Sequence, residues 1–230
     1  MFKAGVSRSA SGHPKPAVAG LAPGYPERMR TSTLGLLASN LLTLTLALVF
    51  GWEAGWLIWP YWMQSVVIGF YARKRMLALH DFTTEGFTSG GRRVAEDEAG
   101  KRSTARFFTL HYGFFHVIYG MFLLAQHPVA SPRDIALLAL CGLSFVFSQR
   151  QTYAVQHAAD LHGRPSLGAL MFLPYLRVLP MHLIILSSAA IGSGTLVMVV
   201  FTALKTASDL AMDHADRWLA ERAAARRMAR

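Results

Sequence analysis

Apolar residues gather into six windows of about twenty residues, each the length a helix needs to cross about 30 Å of hydrocarbon at 1.5 Å per residue. The windows run from about Thr33 to Trp52, Trp56 to Arg73, Ala105 to Gln126, Ile135 to Val155, Leu167 to Ile191 and Gly194 to Met212. The second opens on Trp56, Trp59, Tyr61 and Trp62, amphipathic rings that favour a membrane–water interface. The fourth has a short clean stretch that ends in Gln149-Arg150-Gln151. Gly192-Ser193-Gly194 joins the last two windows as a helical hairpin. The predicted fold is all-α, a polytopic transmembrane helical bundle of six spans.

Polar segments frame this bundle. Residues 1–31 hold five basic groups and four prolines and read as a disordered or surface-lying arm. Residues 32–214 form the six-helix domain, interrupted by a long polar loop at 74–104 whose glycines and mixed charges suggest partial order. Residues 215–230 form a basic tail that reads first as solvated, with extension of the last helix into the cytoplasm or contact with anionic lipid as the alternatives. No cleavable signal peptide is expected, because the first apolar window starts late and is long enough to span. No internal repeat supports an inverted-repeat transporter.

Composition strengthens the membrane reading. The chain of 230 residues is 53% hydrophobic and 16% charged, with mean hydropathy +0.31 and a formal charge of +10. Twenty of its 23 lysines and arginines fall on one side of a six-span arrangement, and only Arg133 falls on the other. Both termini are therefore predicted to be cytoplasmic, in a multi-pass protein of a bacterial inner membrane with anionic lipid at its basic flanks. Nucleic acid is an unsuitable partner, because the aromatics sit in the spans and the charges in the flanks instead of interleaving. A single cysteine, Cys141, excludes an internal disulfide and any multi-cysteine metal framework.

Ionisable groups inside spans are costly, at about 2.5–3.5 kcal/mol each on insertion scales, so each needs a partner or a task. The six-span topology puts His116, Arg177, His182, Lys205 and Gln64 near the midplane and His111 and Asp209 in the cytoplasmic half. Tyr112, His116 and Tyr119 share a helix face at i, i+4, i+7, whereas His111 points about 140° away from His116. Any metal site must then draw on several helices, with His111, His116, His182 and His214 as the candidate ligands. Lys205 and Asp209, four residues apart, pair within their own helix, or else Asp209 faces Arg177 or His111 and Lys205 faces Gln64 or an anion. Pro174 and Pro180 predict a kinked or broken fifth helix.

Several stretches resemble one family: Ser39–Leu42, the YWMQSVVIG run at Tyr61–Gly69 with Arg75-Met76 beyond it, FFTLHYGFFH at Phe107–His116, PYLR and MHLIIL around Arg177 and His182, and LKTASDLAMDH at Leu204–His214. Together they touch every predicted helix except the fourth. The chain is similar here to uncharacterised bacterial integral membrane proteins, grouped as a domain of unknown function. The resemblance implies a small polytopic membrane protein and no particular activity. Relatives tend to carry an acidic residue followed by Asn where this chain has Gln64 and Ser65, so a carboxylate-dependent activity there would be lost, whereas a hydrogen-bonding role would survive.

Two functions compete. The first is non-enzymatic: an intramembrane polar site built from Gln64, Tyr112, His116, Arg177, Lys205 and Asp209 that binds or transports a small ligand or ion, or supports a partner membrane subunit. The second is a metal- or cofactor-dependent redox enzyme or subunit using the four histidines. The sequence requires no cofactor, though a metal is compatible with it. No nucleophile elbow, P-loop or dinucleotide fingerprint is present.

Overall fold

A computed structural model describes residue 21 and residues 24–229 apart from 53, 130 and 188–194; it leaves out the side chains of residues 26, 54, 55, 177, 179–198, 200 and 201. Six α-helices occur among the described residues: α1 (Tyr25–Val49), α2 (Ile58–Leu77), α3 (Glu98–Gln126), α4 (Pro132–His162), α5 (Leu167–Ser187) and α6 (Thr195–Met228). A 3-10 turn, Ala54–Leu57, leads into α2, and a two-residue-strand hairpin, β1 (Thr88–Ser89) against β2 (Arg92–Arg93), lies between α2 and α3. The all-α expectation holds in this form.

Local chemistry explains the helix ends. Gly24 adopts φ 70°, a left-handed conformation that suits glycine, and starts α1 at Tyr25 with a proline in its first turn. The last seven residues of the arm expected to be irregular are thus helical. Asp97 accepts a hydrogen bond from the Gly100 N–H at 2.7 Å and opens α3 seven residues before the apolar window. Ser131 caps α4, with Pro132 at its first position. Helix α5 runs unbroken through Pro174 and Pro180, so the expected break is absent. Helix α6 continues to Met228, sixteen residues beyond its apolar window, and absorbs the basic tail.

These extensions narrow the polar loop to residues 78–97, and the loop is ordered. Thr83 N–H donates to the Pro165 carbonyl and Leu167 N–H to the Thr83 carbonyl, both at 2.9 Å, which stitches the loop to the α4–α5 turn. Glu96 Oε1 accepts from the Thr84 N–H at 2.9 Å, the Thr83 hydroxyl at 3.0 Å and Arg93 at 2.6 Å, while Oε2 accepts from Arg164 at 2.5 Å. The Thr84 N–H, with the Thr83 hydroxyl and the two arginines, holds this carboxyl down at about 2.

Helix α2 is the centre of the bundle and packs on α3, α4 and α5, while α1 packs on α4 and α6. Phe108, Leu123, Met76 and Ile58 are fully buried around it. Tyr25 and Met29 of α1 pack with Val155 and Ala159 of α4 and Ala220 of α6, so the start of α1 and the end of α6 share one end of the bundle. Much of the outward helix surface is apolar. On α3 alone Phe107, Leu110, Phe114, Val117, Met121 and Leu124 are exposed. By length and composition, two helical segments among the described residues, Glu27–Val49 and Glu98–Gln126, can cross a membrane.

Candidate functional site

Helix α6 carries the principal polar feature. Lys205, Asp209, Asp213 and Asp216, spaced four, four and three residues apart, occupy one face of a 3.6-residue helix, and all four are buried. At the inner end of this ladder Lys205 Nζ lies 2.5 Å from Asp209 Oδ2 and donates to Asn40 Oδ1 at 2.5 Å. Asn40 Nδ2 in turn donates to the same Asp209 oxygen at 2.9 Å. The Tyr61 ring lies 5.0 Å from the ammonium, within cation–π range, and the Tyr61 hydroxyl is 3.3 Å from Thr202 Oγ1. The pair within helix six is formed, and Asn40 of α1 joins it from across the bundle. The Arg177 side chain, foreseen as another partner of Asp209, lies outside the described residues.

Further along α6, Asp213 accepts from the Thr33 hydroxyl at 2.5 Å and meets Arg217 at 3.5 Å. Asp216 joins a second charged group. Arg75 of α2 grips Asp160 of α4 with two parallel bonds, Nε to Oδ2 at 2.6 Å and Nη2 to Oδ1 at 2.9 Å. Its remaining Nη1 donates to Asp216 Oδ1 at 2.9 Å, and Gln156 Nε2 donates to Asp216 Oδ2 at 2.8 Å. One guanidinium thus serves two buried carboxylates. Burial and then Asp216 push the nearby Tyr25 phenol far above its ordinary range. A cavity of about 40 Å³ adjoins this group, lined by Arg75, Gln149, Gln156 and Asp216 together with Ile68 and Met212.

A third polar cluster joins α2 to α3. The His116 Nδ1 lies 2.7 Å from the Tyr112 carbonyl, which can only accept, so this nitrogen carries a proton, and Nε2 lies 2.8 Å from Ser65 Oγ. The Tyr112 hydroxyl donates to the Ser65 carbonyl at 3.0 Å and lies 2.8 Å from Ser65 Oγ. Trp62 Nε1 donates to the His116 carbonyl at 2.8 Å. Glycine is required opposite this cluster: a Cβ on Gly69 would stand 2.4 Å from the Tyr112 ring. Gln64, on the neighbouring face of α2, is buried and makes no hydrogen bond to a described residue.

The residues singled out from sequence therefore divide. Lys205 and Asp209 meet, as do Tyr112 and His116, but the two pairs belong to separate clusters. Arg177 and His182 lie on α5 with side chains outside the described residues. His111 is exposed, stacked on Phe107 and bonded through Nδ1 to the Tyr175 hydroxyl at 3.0 Å. His214 is exposed on α6. Among the described residues no three His, Cys, Asp or Glu side chains gather at metal-ligand spacing. Sequence reasoning met Asn40, Ser65 and Arg75 only inside the stretches that carry the family resemblance, without a partner for any of them, and passed over Gln156, Asp160 and Asp216. The spacing of Asp209, Asp213 and Asp216 along one helix face was the signal available for the last of these.

The chain belongs to a family of unknown function (DUF6498), whose model matches residues 25–228. No curated protein and no solved structure matches it.

Proposed function

We propose that this chain is a six-helix integral membrane protein of the bacterial inner membrane, with both termini cytoplasmic, that binds a small monovalent cation beside Asp216. The observation that carries this reading is the inversion of surface and interior. On α3 the exposed apolar side chains extend from Phe107 to Leu124, about 26 Å at 1.5 Å per residue, while Lys205, Asp209 and Asp216 are buried. A bundle surrounded by water would not leave so continuous an apolar surface exposed. The belt height is close to the thickness of bilayer hydrocarbon, and the crowding of lysine and arginine at one end supports the orientation.

Size and charge narrow the ligand. A cavity of about 40 Å³ suits an ion or a few waters, whereas organic ligands occupy pockets of about 300–1,000 Å³. Two carboxylates share one guanidinium beside it, and the excess negative charge favours a cation. The test uses purified protein in lipid nanodiscs, unfolded thermally at constant ionic strength. Sodium or potassium is expected to raise the unfolding temperature with saturation, tetraethylammonium, which is too large to enter, to have no effect, and Asp216→Asn to lose the response. An equal response to all three cations, or an undiminished response in the variant, overturns the assignment.

A further inference from the structure

We infer that the exposed face of the α6 extension, formed by His214, Arg217, Trp218 and Arg222, is a docking surface for the phosphate of an anionic phospholipid. This rests on the membrane reading above.

Helix α6 spans 34 residues, about 50 Å, which exceeds the roughly 30 Å of hydrocarbon, so its last third must leave the apolar layer. Its outward face shows where. Leu204 and Leu210 are exposed and apolar, and from Leu210 the stripe continues at four-residue steps through His214, Trp218 and Arg222, with Arg217 beside it. The change from leucine to histidine falls one turn past Leu210, and Trp218 follows one turn later, about 12 Å from Leu210 along the axis. That is the depth at which tryptophan and arginine meet headgroups.

Side-chain direction brings these groups back toward the lipid. Side chains on a helix lean toward its N-terminus, and the N-terminal end of α6 is the apolar one. The Arg222 guanidinium follows this rule: it lies 3.8 Å from the Trp218 ring centroid, folded back along the helix toward the bilayer. A guanidinium held over an indole in this way keeps N–H donors for a phosphate. Arg217 meets Asp213 through one nitrogen at 3.5 Å and keeps further donors. Glu221 shares the face and Asp213 pairs with Arg217, which together offset two charges, and Arg226 and Arg227 one turn further along the helix leave this end of α6 positive. Charge and depth together select an anionic headgroup, since a zwitterionic lipid carries its own cation beside the phosphate.

The experiment titrates phosphatidylglycerol into the purified full chain and counts bound lipid by native mass spectrometry. Arg217→Gln/Arg222→Gln is expected to weaken binding by roughly thirtyfold, given the usual contribution of each basic residue at an anionic surface. Arg133→Gln, at the opposite end of the bundle, serves as the control and should bind as the unchanged chain does. Phosphatidylcholine should not compete. Undiminished phosphatidylglycerol binding by the folded double variant overturns the inference, as does equal competition by phosphatidylcholine or by inorganic phosphate. Alkaline carbonate extraction of the parent membranes separates the two claims. Release into the supernatant sinks the membrane reading and this inference together, whereas retention without lipid selectivity sinks this inference alone.

Discussion

The two charged groups along α6 are built from similar parts and balanced differently. Around Lys205 the ammonium meets Asp209, Asn40 bonds to both, and the Tyr61 ring lies against the ammonium. Around Arg75 one cation meets two carboxylates, Gln156 bonds to only one of them, and a cavity adjoins. The first arrangement joins α1 to α6 through contacts that turn inward. The second keeps an excess of negative charge and room beside it. Buried charge alone therefore does not mark a binding site; imbalance next to open volume does.

The comparison can be broken most sharply at the closed group. Lys205→Met alone, or Asp209→Leu alone, breaks a buried ion pair and is expected to cost about 3–5 kcal/mol. The triple change Asn40→Leu/Lys205→Met/Asp209→Leu should recover most of that loss, because it removes the three mutually bonded polar groups together. Unfolding in detergent measures both. If the triple variant is no more stable than the singles, the group does more than join two helices.

Arg75→Gln leaves Asp160 and Asp216 facing each other without a cation and is expected to destabilise strongly at neutral pH. Lowering the pH should rescue this variant in part, as one carboxylate takes a proton in place of the lost guanidinium. Loss of stability that is the same at pH 5 and pH 8 would argue that the two aspartates are not electrostatically coupled.

The smallest effect is expected outside the helices, at Glu96. Its carboxyl is held at about 2 in the folded loop against an ordinary 4.5, so its contribution is fully present above about pH 4.5 and disappears as the pH falls toward 2. Glu96→Gln should flatten that part of the pH–stability curve and free the loop from the α4–α5 turn. Amide exchange at Thr84 reads the local change directly; unaltered protection in the variant would show that backbone pairing at Thr83 suffices.

Helix number and approximate position were legible in the sequence because apolar windows of fixed length leave few alternatives. The ends were not, since Asp97, Ser131 and Gly24 act through cap geometry that hydropathy averages away. Lys205 and Asp209 were legible as a pair because four residues make one helical turn. Asn40 was not, because its role depends on α1 crossing α6 169 residues away in sequence. Ser65 escaped for the same reason: it became meaningful only once α3 set His116 and Tyr112 against it. Arg75 stood among flanking basic residues, and nothing local separates a buried arginine from an exposed neighbour such as Lys74.

Periodicity and composition by themselves determined that this chain is helical, apolar on its outside and basic at its ends, because those properties are sums over neighbouring residues. Which charges meet, which balance and where a cavity remains were decided only by the tertiary structure. Electrostatic partnership depends on distances of a few ångströms between residues far apart in the chain, and those distances exist only after α2 has packed between α3, α4 and α5 and α6 has closed against α1.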